Sequence, residues 1–298
     1  MAEKVKKPIC ILIIIAGLLT FFYPDLKSFI LDCGTESYIQ EFRTEYPTAS
    51  QSDSNLDSQS LYREAEAYNL QIFQDGQAGF RDAWSVTQEP VSLDGLDSGR
   101  FGYIEIPSMG ETLPLYIGAS AENLAKGAAV LGGTSLPIGG DNTNSVIAAH
   151  RGYRGVPFFR NIEEVTVGDP VYITNPWETL VYRVESIDII EPTDIDAVKI
   201  QEGRDMITLM TCHPYRSDSK YRYIVYCARE GSMVDIELPG ENQDGYIIAS
   251  DGTDYELSGQ DIKKENMIRR CCGVLIIGIV VITMLRKKSG NSKERRDP

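Results

Sequence analysis

The chain has 298 residues, 42% hydrophobic and 24% charged, with 43 acidic against 29 basic side chains. That composition suits one sizeable globular domain with appendages, and excludes collagen-like, low-complexity and polytopic membrane classes. A net charge of −14 speaks against nucleic acid as a partner, two His against a His-built metal site, and six Cys against a disulfide scaffold.

The charge is unevenly spread. Residues 1–31 hold four Lys and two acids, and 263–298 hold ten Lys/Arg and three acids. The stretch between them carries 15 basic and 38 acidic residues, a net of −23. Lys4, Lys6 and Lys7 precede an uncharged run from Pro8 to Tyr23. Such a run fits a cleaved leader or an uncleaved membrane anchor, and no small-x-small cleavage site follows it, so 1–31 reads as a cytoplasmic start and a membrane helix. At the other end Arg269-Arg270 leads into Cys271–Leu285 and then Arg286-Lys287-Lys288. This is a stop-transfer pattern, which predicts a second membrane helix over 267–285 and a basic cytoplasmic tail over 286–298. Two crossings place both termini in the cytoplasm and the acidic middle on the extracellular face of the cell membrane, with the lipid bilayer as a partner.

Residues 32–98 read as a stalk, a helix over Leu61–Phe73 carrying Leu61, Ala65, Tyr68 and Ile72 at helical spacing, and a loop rich in Gly, Asp and Pro. From 99 to 240 the pattern turns to short strands: Tyr103–Ile106, Leu113–Ile117, Ser145–Ala149, Pro170–Thr174, Leu180–Ile190, Met206–Cys212 and Arg222–Ala228, with a short helix over Ser120–Lys126. Strands of this length separated by Gly-bearing turns predict an all-β sandwich or barrel. Residues 241–266 are polar and acidic and read as a linker to the second membrane helix.

Three residues stand where strands end. Cys212 closes an apolar strand stopped by Pro214, and taken alone fits a buried core position as well as a nucleophile. His150 ends a second apolar strand before a Gly-bearing loop. The other histidine, His213, is adjacent to Cys212 and so points to the opposite face of an extended chain, leaving His150 as the better partner. A hairpin joining Met206–Cys212 to Arg222–Ala228 brings Arg222 beside Cys212 and carries Cys227 away from it, which argues against a Cys212–Cys227 disulfide.

Thr208-Leu209-Met210-Thr211-Cys212, with His150 upstream and Arg222 downstream, resembles the sortase family of Gram-positive surface transpeptidases. The resemblance runs from about Tyr62 to Arg229 and includes Gly102-Tyr103-Ile104-Glu105-Ile106-Pro107, Leu113-Pro114-Leu115-Tyr116 and Val165-Thr166-Val167-Gly168-Asp169. Gly133-Thr134-Ser135-Leu136-Pro137-Ile138-Gly139-Gly140 and the second membrane helix resemble class C, the pilus-assembling sortases. The chain departs from class C in having Ala149 before the histidine, a longer loop over Arg151–Phe159, and an extra residue between Cys212 and Arg222.

The resemblance implies a closed sortase-type β-barrel of about eight strands, with short helices, an N-terminal helical segment and a lid loop, flanked by two membrane helices. It implies Cys212 as nucleophile, His150 as general acid and base, and Arg222 as the group that orients the substrate carbonyl or holds its oxyanion. Arg81-Asp82-Ala83-Trp84 resembles the class C lid but lacks its Pro, so Asp82 and Trp84 are the expected lid residues. The implied substrates are pilins or other surface proteins bearing an LPxTG-like sorting signal, and the implied nucleophile is a pilin lysine or a cell-wall precursor amine. No cofactor and no metal are required. The alternatives are a housekeeping sortase, a hydrolysing cysteine peptidase, and a non-enzymatic tethered β-domain.

Overall fold

A computed structural model describes residues 2–46, 56–78, 80, 99–153, 156–215, 219–231 and 246–294. In chain order the elements are α1 (Ala2–Glu45), α2 (Leu56–Gln74), β1 (Arg100–Ile106), β2 (Glu111–Ile117), α3 (Ala121–Leu124), β3 (Ala128–Val130), β4 (Thr143–Ala148), β5 (Arg151–Tyr153) and β6 (Val156–Phe158). There follow β7 (Pro170–Thr174), β8 (Thr179–Ile190), β9 (Asp205–His213), β10 (Tyr221–Arg229), β11 (Tyr246–Ile248), β12 (Asp254–Glu256) and α4 (Gly259–Glu294). Eight strands close into a barrel in the order β1-β2-β3-β4-β9-β10-β8-β7. The barrel is mixed: β2 with β3 and β4 with β9 are parallel, and the remaining pairs are antiparallel.

The apolar runs of the sequence reflect walls buried on both faces. In β4, β9 and β10 one set of side chains, including Ile147, Ile207, Leu209, Tyr223, Val225 and Cys227, joins the main core. The alternate set, Val146, Ala148, Met210 and Ile224, packs into a second cluster with Leu124 and Val198. Strands covered on both sides lose the polar alternation of a half-exposed strand and read as continuous hydrophobic stretches. Ser120 starts α3, its side chain accepting from Asn123 N at 3.1 Å, as its place before a short helix predicts.

Both helical appendages dock more closely than the sequence suggests. The expected stalk continues as helix to Glu45, with Tyr38, Ile39 and Phe42 buried against Tyr103. Tyr38 Oη donates to Gly102 O at 2.9 Å. Gly102 has φ 155°, and a Cβ there would lie 1.9 Å from Thr174 O, so β1 approaches β7 only with glycine at this position. α2 is fastened by Asn69, which donates to Leu136 O at 3.0 Å and accepts from Leu136 N at 2.7 Å. Trp177 Nε1 donates to Ser58 O at 3.0 Å.

The stretch expected as a polar linker contains the β11–β12 hairpin, with Ile247 and Ala249 buried. Ser250 N donates to Asp188 Oδ1 at 3.0 Å, tying the hairpin to β8. Residues 24–257 form one compact unit, and residues 1–23 with 258–298 form another. The expected membrane spans fall on the backbone of α1 and α4, and among the described residues no helix is long and apolar enough to cross a membrane. Asp82 and Trp84 lie outside the described residues.

Candidate active site

β9 and β10 are register partners over Met206–His213 and Tyr221–Ala228, and Cys212 stands directly opposite Arg222. On the other side of β9, parallel β4 aligns Ala148 with Met210, so the chain leaving β4 runs beside Thr211 and Cys212. Two bonds hold it there: Thr211 Oγ1 donates to Ala149 O at 2.7 Å, and Ala149 N donates to Met210 O at 3.2 Å. His150 follows at the strand end, with its carbonyl accepting from Phe159 N at 3.0 Å. The three strand-end residues singled out in the sequence therefore lie at the same end of the barrel.

Cys212 and His150 are half-buried, whereas Arg222 is buried. Arg222 Nη1 donates to Ser219 O at 3.1 Å and Tyr221 O at 3.0 Å, which fixes one arm of the guanidinium. The His150 ring stacks on Tyr153, with centroids 4.6 Å apart and an interplanar angle of 16°. Lys27 Nζ lies 5.6 Å from the centroid of the same tyrosine ring.

Burial dominates the electrostatics. It raises the Cys212 thiol above its ordinary pKa, against the opposing pull of the Arg222 and Arg151 guanidiniums and a side-chain hydrogen bond from Ser219. Burial also lowers the His150 imidazole. Both shifts disfavour the charged forms, so the resting pair is a neutral thiol and a neutral imidazole, and the nearby cations moderate the cost of ionising the sulfur without overcoming it.

The remaining candidates are placed elsewhere. Cys227 is a free, fully buried thiol opposite Ile207, its pKa pushed up by burial. His213 lies on the face of β9 opposite Cys212, 2% exposed, and burial beside Arg151 lowers its pKa to about 4. Ser219, Tyr153 and Arg151 are neighbours of the site that strand-end reasoning does not single out. Arg151 carries one signal: it follows His150 directly, as His213 follows Cys212.

A closed β-barrel that gathers a thiol, an imidazole and a guanidinium at one end has the layout of a cysteine enzyme of the acyl-transfer kind. The sortase domain model matches residues 104–230. Sortase D of Bacillus subtilis (strain 168) is 27% identical over 130 residues, which are 43% of this chain and 63% of that protein's length. Sortase C of Streptococcus pneumoniae, whose crystal structure is described in terms of catalysis and pilin substrate specificity, superposes with a TM-score of 0.56 at 33% identity, covering 65% of this chain and 96% of the other. A pilus-related sortase C of Group B Streptococcus gives a TM-score of 0.54 at 32% identity, covering 61% and 93%. The chain belongs to the sortase family.

Proposed function

We propose that this chain is a two-pass, membrane-anchored cysteine transpeptidase of class C. It cuts an LPxTG-like sorting signal and joins the freed carbonyl to an amine, a pilin lysine being the favoured acceptor. The observation that carries the reading is the pairing of Cys212 with Arg222 at the barrel end to which β4 delivers His150.

The chemistry follows from the three groups. His150 takes the thiol proton as Cys212 Sγ attacks the scissile carbonyl carbon. Negative charge gathers on the carbonyl oxygen, where the Arg222 guanidinium stabilises it. The carbon–nitrogen bond of the signal then breaks, the departing amine takes the proton from His150, and a thioacyl enzyme remains. In the second half the incoming amine attacks the thioester and gives a proton to His150. The carbon–sulfur bond breaks, the new amide forms, and the thiol recovers its proton. Because the resting pair is neutral, the ion pair forms only within the loaded site, where substrate displaces water and the guanidinium acts at lower effective dielectric.

The pilus assignment is supported by the solved relatives, whose descriptions refer to pilin specificity and to pili. The anchoring is supported by the basic residues that flank the apolar runs Pro8–Tyr23 and Cys271–Leu285, and by exposed Leu26, Phe29 and Ile30, which extend the first run. Most of the side chains in those runs lie outside the described residues. Anchoring enzyme and tethered substrate in one layer raises their effective concentration.

The test is incubation of the full chain in detergent with a purified pilin bearing a sorting signal. A ladder of covalent polymers resistant to SDS is the expected result. Product only with an added glycine-type amine, and no ladder, would replace pilus assembly with wall attachment. Release of the free acid in abundant amine would indicate a peptidase. For Asp82 and Trp84 the reading is a lid over the thiol, resting on the sequence alone. Asp82→Ala with Trp84→Ala should speed alkylation of Cys212 several-fold, and an unchanged rate would remove the lid from the proposal.

A further inference from the structure

Behind the dyad lies a second pair of side chains that the chemistry above does not use. Arg151 follows His150 and His213 follows Cys212. Arg151 Nη1 lies 2.9 Å from His213 Nδ1 and 3.3 Å from Cys212 O. Arg151 Nη2 donates to Glu163 Oε1, from the 3-10 turn Ile162–Glu164. The Arg151, Glu163 and His213 side chains are 2%, 4% and 2% exposed.

The tautomer follows from the partners. Arginine only donates, so His213 Nδ1 accepts, and the imidazole is neutral with its proton on Nε2. The Glu256 backbone of β12 supplies the other hydrogen bond of that ring. The Tyr223 ring lies 5.5 Å from the Arg151 guanidinium, and the Tyr255 ring packs edge-on against His213 with centroids 6.3 Å apart. The groups facing the pair are therefore Glu163, Tyr223, Tyr255, the Glu256 backbone and the Cys212 carbonyl. Each strand end that carries a catalytic candidate is thus bonded to the other through the residue that comes next.

We propose that Arg151 and His213 are a positioning pair whose hydrogen bond fixes the separation of His150 and Cys212, with Glu163 holding the guanidinium and the β11–β12 hairpin holding the imidazole. The role rests on the transpeptidase reading and adds to it two residues that never touch substrate. A buried ion pair can be replaced by apolar residues without loss of fold, so burial and charge alone do not require these residue types. The geometry does, because Nη1 alone reaches both the Cys212 carbonyl and the His213 ring while Nη2 of the same fork is held by Glu163.

The experiment measures kcat and KM for transfer from a sorting-signal peptide to an amine by the full chain, with active sites counted by alkylation of Cys212. His213→Leu should lower kcat per titrated site about 10- to 100-fold, the scale of a misplacement near 1 Å, with KM changed less than about threefold. His213→Asn, whose Oδ1 can stand where Nδ1 accepts, should recover most of that loss. A purely structural role would lower the number of titratable sites and leave kcat per site unchanged, and that result overturns the proposal, as does an Asn variant no better than Leu. If His213→Leu does not fold, Arg151→Lys is read in the same way: it keeps the charge but has one nitrogen where the guanidinium uses two, so it cannot hold Glu163 and keep both Nη1 bonds at once, and an unchanged kcat per site overturns the proposal. A wild-type chain that makes no amide overturns the transpeptidase reading and this role with it. A wild type that works beside unimpaired variants overturns only the positioning pair.

Discussion

Replacing His150 by Gln should lower amine transfer about 10²- to 10⁴-fold, the range of general acid–base catalysis, while changing the alkylation rate of Cys212 less than about threefold. The two readouts separate because the resting site holds both groups neutral. Burial raises the thiol and lowers the imidazole, so the small thiolate fraction in the free enzyme owes nothing to a permanent imidazolium. Alkylation by a small reagent needs only the thiolate and access to it. Transfer needs a proton delivered to the leaving amine and another removed from the incoming one, and Gln can do neither. The Gln side chain still fills the half-buried position and keeps the Tyr153 ring covered. Iodoacetamide kinetics and a peptide-to-amine assay on the same preparation make the measurement. A parallel collapse of alkylation would mean that His150 is charged at rest and forms an ion pair with Cys212 in the free enzyme.

How much of this was legible in the sequence depends on how local each signal is. Cys212, His150 and Arg222 could be found because each sits at a strand end marked by Pro or Gly or by a loop, and because two-sided burial makes β4, β9 and β10 continuous apolar runs. The lid pair, read from the sequence alone, lies outside the described residues. Less legible were elements whose apolar content is sparse. Helix 34–45 buries Tyr38, Ile39 and Phe42 but carries polar residues between them, so it resembles a stalk. The β11–β12 hairpin has strands of three residues each, with Asp254 and Glu256 exposed, and it is attached through Ile247, Ala249, a bond to Asp188, and the contacts of Tyr255 and the Glu256 backbone with His213. Glu163 is invisible as a partner of Arg151, because it lies twelve positions along the chain beyond a β-hairpin.

Arg222→Ala should lower kcat/KM about 10²- to 10³-fold, as expected for loss of an oxyanion donor, and unlike the His150 variant it should also slow alkylation of Cys212. The guanidinium faces the thiol across the β9–β10 pair and is the first of the groups that oppose the burial penalty on its ionisation. Without it the thiol pKa, already above its ordinary value, rises further, and the midpoint of the alkylation–pH profile moves to higher pH. Below that midpoint the thiolate fraction falls, so the variant is slower at neutral pH and recovers in strong base. Arg222→Lys separates the two contributions. A lysine at this position keeps the positive charge, so the profile should stay closer to wild type. It lacks the planar fork that can be pinned to Ser219 O and Tyr221 O on one arm while presenting the other to a carbonyl oxygen, so transfer should still fall about tenfold or more. Wild-type transfer by the lysine variant would reduce Arg222 to a source of field. Unchanged alkylation in the alanine variant would show that the guanidinium does not act on the resting thiol at all.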